Sequence, residues 1–244
     1  MRLIRGDARK ALPKMEDASF DVIATDMPYG EVQLWGEGEG NRSWGDHGGV
    51  GSPTTEYHLD DKDFVTGFMT LKWFLGEAAR LLKPDGVLYM TLGRGWILPQ
   101  AFLQAANAGF KTRPLVWYNP DAMPQQRGHP WKTNANVCLF GYRKLRKRDG
   151  EIVDYAGRGA KNLFEAIPPR GRTRVHPTQK PVKLFEEWLK QTPGRVLDPF
   201  MGVGTTLVAA QRLGLDGTGV ETEKRWVEEA QRRLREERNG ARFK

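Results

Sequence analysis

Residues Arg195 to Glu221 form the segment that most narrows what this chain can fold into. An apolar strand, Arg195-Val196-Leu197-Asp198, runs into the turn Pro199-Phe200-Met201-Gly202-Val203-Gly204. A helix over Thr205 to Leu213 and a second strand over Leu215 to Glu221 follow. Strand, helix, strand at this spacing predicts a parallel pair with the helix laid across one face. Gly202 and Gly204 permit a tight turn and let a ligand approach the backbone. Glu221, seventeen residues beyond Gly204, ends the second strand. A carboxylate there can accept hydrogen bonds from two vicinal ribose hydroxyls. The third glycine of a dinucleotide fingerprint is replaced by Leu207, and no Lys precedes a Ser or Thr after the glycines. A nicotinamide site and a P-loop are therefore disfavoured. An ordinary helix start with a solvated Glu221 fits the same residues.

The rest of the chain extends this α/β pattern. Strands are predicted over Arg2 to Arg5, Phe20 to Thr25, Val87 to Thr91, Phe110 to Tyr118 and Asn134 to Tyr142, the last as a strand or hairpin. Helices are predicted over Ala8 to Leu12, Phe64 to Leu82, Leu98 to Ala108, Pro181 to Leu189 and Lys224 to Arg235. The fold class expected is a mostly parallel sheet with helices on both faces. Residues 31–61, rich in glycine, lack a sustained period and read as a lid or binding loop. Residues 1–142 and 175–244 are expected as two parts of one domain, the second carrying the glycine-turn ligand site. The stretch 143–174, poor in bulky apolar residues, is expected as a basic insertion.

Charge is concentrated in that stretch. The net charge is +8, and Gly141 to Lys180 hold eleven Lys or Arg against four Asp or Glu. A polyanionic partner is expected, which composition alone does not name, with Arg143, Lys144, Arg146, Lys147, Arg148, Arg172 and Arg174 as candidate contacts to it. A solvated basic surface gives the same composition. No apolar run is long enough to span a membrane, and the first residues lack a signal-peptide core, so a cytoplasmic protein is expected. Cys138 stands alone, which excludes an internal disulfide and leaves no cysteine cluster for zinc; no metal is expected.

Asp26-Met27-Pro28-Tyr29 ends the second predicted strand. Pro28 fixes its own φ and biases Met27 toward an extended conformation. The Asp26 carboxylate and the Met27 carbonyl can then face one donor while Tyr29 stacks on a planar group. An exocyclic amine carries two hydrogens and a delocalised lone pair. Receiving both hydrogens directs that lone pair outward and stabilises the positive charge that develops on nitrogen. A Pro turn with Tyr29 packed against the sheet is the structural alternative. Asp7, after Gly6, reads most simply as a helix N-cap. His176 has no metal-ligand neighbours and reads as structural or backbone-bonding.

Taken together, these residues resemble the amino-methylating DNA methyltransferases, in the permuted arrangement with the target motif before the cofactor motif. Asp26-Met27-Pro28-Tyr29 is similar to the family's Asp-Pro-Pro-Tyr. Residues Asp198 to Thr206 are similar to its cofactor loop, His176-Pro177-Thr178-Gln179-Lys180-Pro181 to the segment before that loop, and Gly6-Asp7 to a short motif near the cofactor adenine. The resemblance implies an S-adenosylmethionine-dependent, Rossmann-like fold and direct in-line transfer to adenine N6 of a flipped DNA base. Cytosine N4 is the alternative target. An RNA or protein-amide methyltransferase and a noncatalytic DNA-binding module are the other readings. It implies catalytic roles for Asp26, Met27, Pro28 and Tyr29. Cofactor contacts are implied for Asp7, Thr178, Lys180, Asp198, Phe200, Gly202, Gly204, Thr205 and Glu221, with Thr178 and Lys180 at the methionine end. Residues 143–174 fall where the family carries target recognition. Trp35 and Trp44 are candidates for a wedge during base extrusion. A homodimer and a separate restriction endonuclease are partners compatible with this family.

Overall fold

The computed structural model describes residues 1–28, 61–92, 97–122, 134–144, 147–148, 151–152, 161–176 and 178–240. Strand β1 spans Arg2–Arg5, β2 Phe20–Asp26, β3 Leu82–Thr91, β4 Lys111–Tyr118, β5 Ala135–Tyr142, β6 Lys147–Arg148, β7 Glu151–Ile152, β8 Leu163–Glu165, β9 Val196–Asp198 and β10 Gly217–Glu221. Helix α1 spans Ala8–Ala11, α2 Asp61–Leu81, α3 Ile97–Asn107, α4 Val182–Gln191, α5 Thr205–Arg212 and α6 Lys224–Arg238.

Eight strands form one sheet in the order β1-β10-β9-β2-β3-β5-β4-β8. Only β5 runs against the others, through antiparallel pairing with β3 and β4. The mostly parallel α/β fold expected from the sequence is the observed one. Alternation along the strands supplies two cores, because successive side chains leave opposite faces. Ile23, Leu88, Met90, Leu139 and Leu197 pack with α2 and α3 residues such as Leu71, Phe74, Leu75 and Ala101. Val22, Ala24, Val87, Tyr89, Cys138 and Val196 pack on the opposite side with Leu184, Phe185 and Trp188 of α4 and with Ala209 and Ala210 of α5. Helix α6 closes over α5 through Val227, Ala230 and Leu234.

Three local departures have physical reasons. The sequence predicts a helix to Leu82 and a strand only from Val87, with Pro84-Asp85-Gly86 between them, yet helix α2 passes directly into β3. The register jumps from Phe20↔Leu82 to Val22↔Val87, so the Pro-Asp-Gly residues are accommodated as an irregularity beside β2. Strand β8, which the basic composition hides, joins the sheet edge beside β4. It is held by the Trp117 Nε1 bond to the Ala166 carbonyl (2.7 Å) and by burial of Ala166. Residues 143–174 therefore divide. Tyr142 pairs with Val87 and Lys111 at the edge where the parallel strands begin, whereas Glu165 lies beside Tyr118 at the other edge.

The topology fixes where a ligand can bind. Strands β2 and β9 are neighbours although 170 residues separate Asp26 from Val196. From β2 the chain continues through α2 to β3 on one side; from β9 it continues through α5 to β10 on the other. The carboxyl ends of such diverging neighbours flank a crevice, the place where open α/β sheets bind ligands. Asp26 and Asp198 are the last residues of those two strands. No described helix is long and apolar enough to cross a membrane.

Candidate active site

A cavity of about 510 Å³ opens at this crevice, within the range of small-molecule sites. Asp7, Asp26, Met27, Pro28, Thr178, Lys180, Asp198, Phe200, Gly202, Thr205 and Glu221 all line it. Residues from both ends of the chain thus meet on one surface. Gly204 stands just behind, at the N-cap of α5.

The glycine turn is built as the sequence requires. Gly202 and Gly204 have φ of +48° and +74°, conformations that favour glycine. A Cβ on Gly202 would meet nothing within 4 Å, whereas one on Gly204 would lie 2.9 Å from the Ala230 Cβ. The first glycine keeps the cavity wall low; the second lets α6 pack against the turn. Glu221 braces the same turn by accepting a hydrogen bond from the Gly202 amide at 3.0 Å, with its other oxygen on the Glu223 amide at 2.8 Å. Oε1 also accepts from the Thr222 hydroxyl at 3.1 Å, so the remaining acceptor capacity of the carboxylate lies on Oε2.

Asp198 is almost fully buried. Its carboxylate accepts from the Thr25 hydroxyl at 2.7 Å and the Phe200 amide at 3.1 Å. Burial pushes its pKa up to about 6, against the opposing bonds from Thr206, Thr25 and Phe200. These bonds make Asp198 a brace beneath the turn. Phe200 lies edge-on to Phe74, ring centres 5.3 Å apart, and presents an apolar surface beside the glycines. Asp7 caps α1 through the Arg9 amide at 2.8 Å while lining the far end of the cavity.

At the opposite end, Asp26 is held from two sides. Thr91, directly across in the β3 register, donates its hydroxyl to Oδ1. The Lys180 ammonium lies 2.5 Å from Oδ2. Sequence reading placed Lys180 at the cofactor's methionine end and did not single out Thr91. Its signal was a hydroxyl residue closing an otherwise apolar strand at the ligand-binding edge. Lys180 reaches Asp26 because Gln179, buried and accepting from the Val175 amide at 3.0 Å, anchors the turn before α4. Met27 is also buried, and its side chain joins the core under α2. Methionine therefore supplies apolar bulk where the motif usually has proline.

His176 lies edge-on to Trp226 at 4.6 Å between ring centres, and its Nδ1 accepts from the Thr178 amide at 3.2 Å. Burial, then the positive charges of Lys180 and Arg225, lower its pKa. It is a wall of the cavity, with Trp226 and Trp73 as aromatic neighbours that the sequence did not point to. Among the described residues no three His, Cys, Asp or Glu side chains gather as a metal site.

Of the expected basic contacts, Arg143 and Arg174 lie apart among the described residues. Arg143 donates through Nη2 to the Leu82 and Lys83 carbonyls at 2.6 and 3.1 Å, closing the sheet edge remote from Asp26. These bonds give Arg143 a bracing role at the end of β5. Lys144 follows at the same edge. Arg174 is exposed on the cavity side of the fold, two residues from His176, whose carbonyl its Nε meets at 3.3 Å. For Lys147, Arg148 and Arg172 the backbone alone is described. Tyr29, Trp35, Trp44, Arg146 and residues 31–60 of the loop expected over 31–61 lie outside the described residues, and Asp61 begins α2.

An acidic strand end facing a glycine-turn cavity at the switch point of a parallel sheet defines a nucleotide-type site in an α/β protein. A family model described as DNA methylase, of the N6/N4 kind, matches residues 20–232, and the chain belongs to that family. The type II methyltransferase M.HpaI of Haemophilus parainfluenzae is 28% identical, covering 98% of this chain and 76% of its own length. The fold is similar to that of TTHA0409, a putative DNA modification methylase from Thermus thermophilus solved with S-adenosyl-L-methionine. That match has a TM-score of 0.67 and 24% identity, and covers 97% of this chain and 93% of the other. It is also similar to the cytosine-N4-specific PvuII DNA methyltransferase, with a TM-score of 0.65 and 18% identity over 98% and 92% of the two chains.

Proposed function

We propose that this chain moves a methyl group from S-adenosylmethionine to adenine N6 of a DNA base turned out of its duplex. The observation that carries the reading is the single cavity shared by Asp26 and the Gly202–Glu221 cradle. Relatives of the same family, among them the type II enzyme M.HpaI, support DNA as the substrate.

The residues fit the cofactor. Two acidic side chains, Asp7 and Glu221, line the cavity beside the bare Gly202 backbone and the apolar Phe200 ring. That donor and acceptor set suits a nucleoside: ribose hydroxyls on Glu221 and a planar ring against Phe200. When bound, S-adenosylmethionine would supply an electrophilic methyl group on a sulfonium. Asp26 and the Met27 carbonyl receive the two amine hydrogens, so the nitrogen lone pair points into the cavity rather than into the ring. The nitrogen–carbon bond forms as the carbon–sulfur bond breaks, and the surplus proton leaves the nitrogen for Asp26 or for solvent. The target must be flipped, because a stacked amine cannot reach a carboxylate recessed at a strand end.

The acidic first residue of the motif favours adenine by family resemblance. Cytosine N4 is the second reading, since its amine presents the same two hydrogens and a cytosine-N4-specific enzyme shares the fold. Incubating the protein with DNA and S-adenosylmethionine, then digesting to nucleosides for mass spectrometry, tests both. N6-methyladenine is expected; N4-methylcytosine as the sole product would replace the target, and no methylated base with cofactor bound would overturn the activity. Mapping the modified sites on native DNA gives the recognition sequence, and with it the sequence a separate restriction endonuclease would share.

A further inference from the structure

We infer that Thr91 and Lys180 are positioning residues that fix both oxygens of the Asp26 carboxylate, so that Asp26 meets the target amine as an immobilised acceptor. The inference rests on the proposed methyl transfer and adds to it two residues acting through Asp26. A carboxylate on a short side chain turns broadly about its last torsion, whereas an amine hydrogen must be received within tens of degrees. Here each oxygen has its own anchor. Thr91 stands opposite Asp26 in the parallel register and is almost fully buried, so its hydroxyl is fixed by the sheet. Lys180 arrives from the turn before α4, 154 residues away in sequence, and contacts the other oxygen at 2.5 Å.

Both anchors donate. Donors from two directions hold the carboxylate in one orientation where it lines the cavity. Strands alternate their faces, and Val22, Ala24 and Asp26 share one with Val87, Tyr89 and Thr91. This is also the face covered by α4, and it explains how Lys180, just before that helix, can reach the carboxylate. Lys180 therefore belongs to the target-amine half of the site rather than to the methionine end of the cofactor.

The test uses the full chain and reads single-turnover methyl incorporation into DNA alongside equilibrium binding of S-adenosylmethionine. Thr91→Val keeps the shape and removes the hydroxyl; Lys180→Met keeps the stem and removes the ammonium. Each is expected to slow transfer about ten- to a hundredfold, the loss expected for one hydrogen bond to a charged group, with cofactor affinity within about threefold of the parent. Thr91→Ser, which restores the hydroxyl, is expected to recover most of the rate. In an Asp26→Asn background Thr91→Val is expected to add little, because its effect passes through that carboxylate. An unchanged rate in Thr91→Val, a Ser variant as slow as Val, or undiminished cost in the Asp26→Asn background overturns the role of Thr91. A cofactor affinity that falls in Lys180→Met in step with the rate returns Lys180 to the cofactor. Failure of the parent chain to methylate DNA while binding cofactor defeats the activity itself, an outcome separate from all of these.

Discussion

The Thr25 hydroxyl donates to the Asp198 carboxylate at 2.7 Å across the seam between β2 and β9, one residue before Asp26 on one side and two before Phe200 on the other. This bond couples the strand carrying Asp26 to the strand feeding the Gly202–Gly204 turn. Asp198 is held there although burial raises its pKa from 3.8 to about 6. The sign of the consequence follows from proton binding. Between those values the folded chain binds a proton that the unfolded chain does not, so acidification favours the fold. The penalty of the buried charge is fully present above about pH 6 and fades as pH falls toward 4. Relative to Asp198→Asn, the parent chain should gain about 1 kcal/mol between pH 7 and pH 5. Denaturant titrations of both proteins at the two pH values check this, and parallel pH profiles would remove the assignment.

Asp26 sits at the carboxyl end of β2 with its oxygens on Thr91 and Lys180 and the cavity before it. Asp26→Ala should lower methyl transfer about a hundred- to a thousandfold, the usual cost of removing a group aimed at developing charge. S-adenosylmethionine affinity should stay within a fewfold, because the glycine cradle and Glu221 stand at the other end. Filter-bound label incorporation and calorimetric titration measure the two quantities separately. Normal turnover would remove Asp26 from the chemistry.

The two glycines of the cofactor turn should fail differently. A Cβ on Gly202 faces open cavity, so Gly202→Ala should cost about 1 kcal/mol of stability from its φ of +48° while weakening cofactor binding by intrusion. A Cβ on Gly204 meets Ala230 at 2.9 Å, so Gly204→Ala combines strain with a clash against α6 and should cost about 2–4 kcal/mol. Thermal melts and cofactor titrations of both variants should show the larger stability loss at Gly204 and the larger affinity loss per unit of stability at Gly202.

What the sequence made legible follows from locality. The Asp198–Glu221 unit was readable because a strand, two glycines, a helix and a terminal acid are near neighbours whose spacing fixes their geometry. Asp26-Met27-Pro28 was readable for the same reason. Thr91 was not, because its importance comes from a register between β2 and β3 across 65 residues of sequence. Strand β8 escaped because three residues, Leu163-Phe164-Glu165, are too few for alternation to show. Lys180 illustrates a third case. Its motif was visible, but the partner of its ammonium depends on how the turn anchored by Gln179 folds back over the sheet.

Arg143 and Arg174 look equivalent in a basic stretch, yet the structure gives them different work. Arg143 bonds two carbonyls at the edge where the parallel strands begin, so Arg143→Ala should cost about 1–2 kcal/mol of stability. Its DNA affinity, corrected for folded fraction, should be unchanged. Arg174 is exposed beside His176 on the cavity side, where a duplex delivering a flipped base would lie. If its guanidinium neutralises one phosphate, Arg174→Ala should weaken binding across all sequences and reduce the slope of log affinity against log salt by about 1. Binding isotherms at several salt concentrations distinguish the two positions, because a stability defect shifts the amplitude of folded protein whereas a lost phosphate contact changes the slope. An unaltered slope in Arg174→Ala would move the DNA path away from the end of the 161–176 segment.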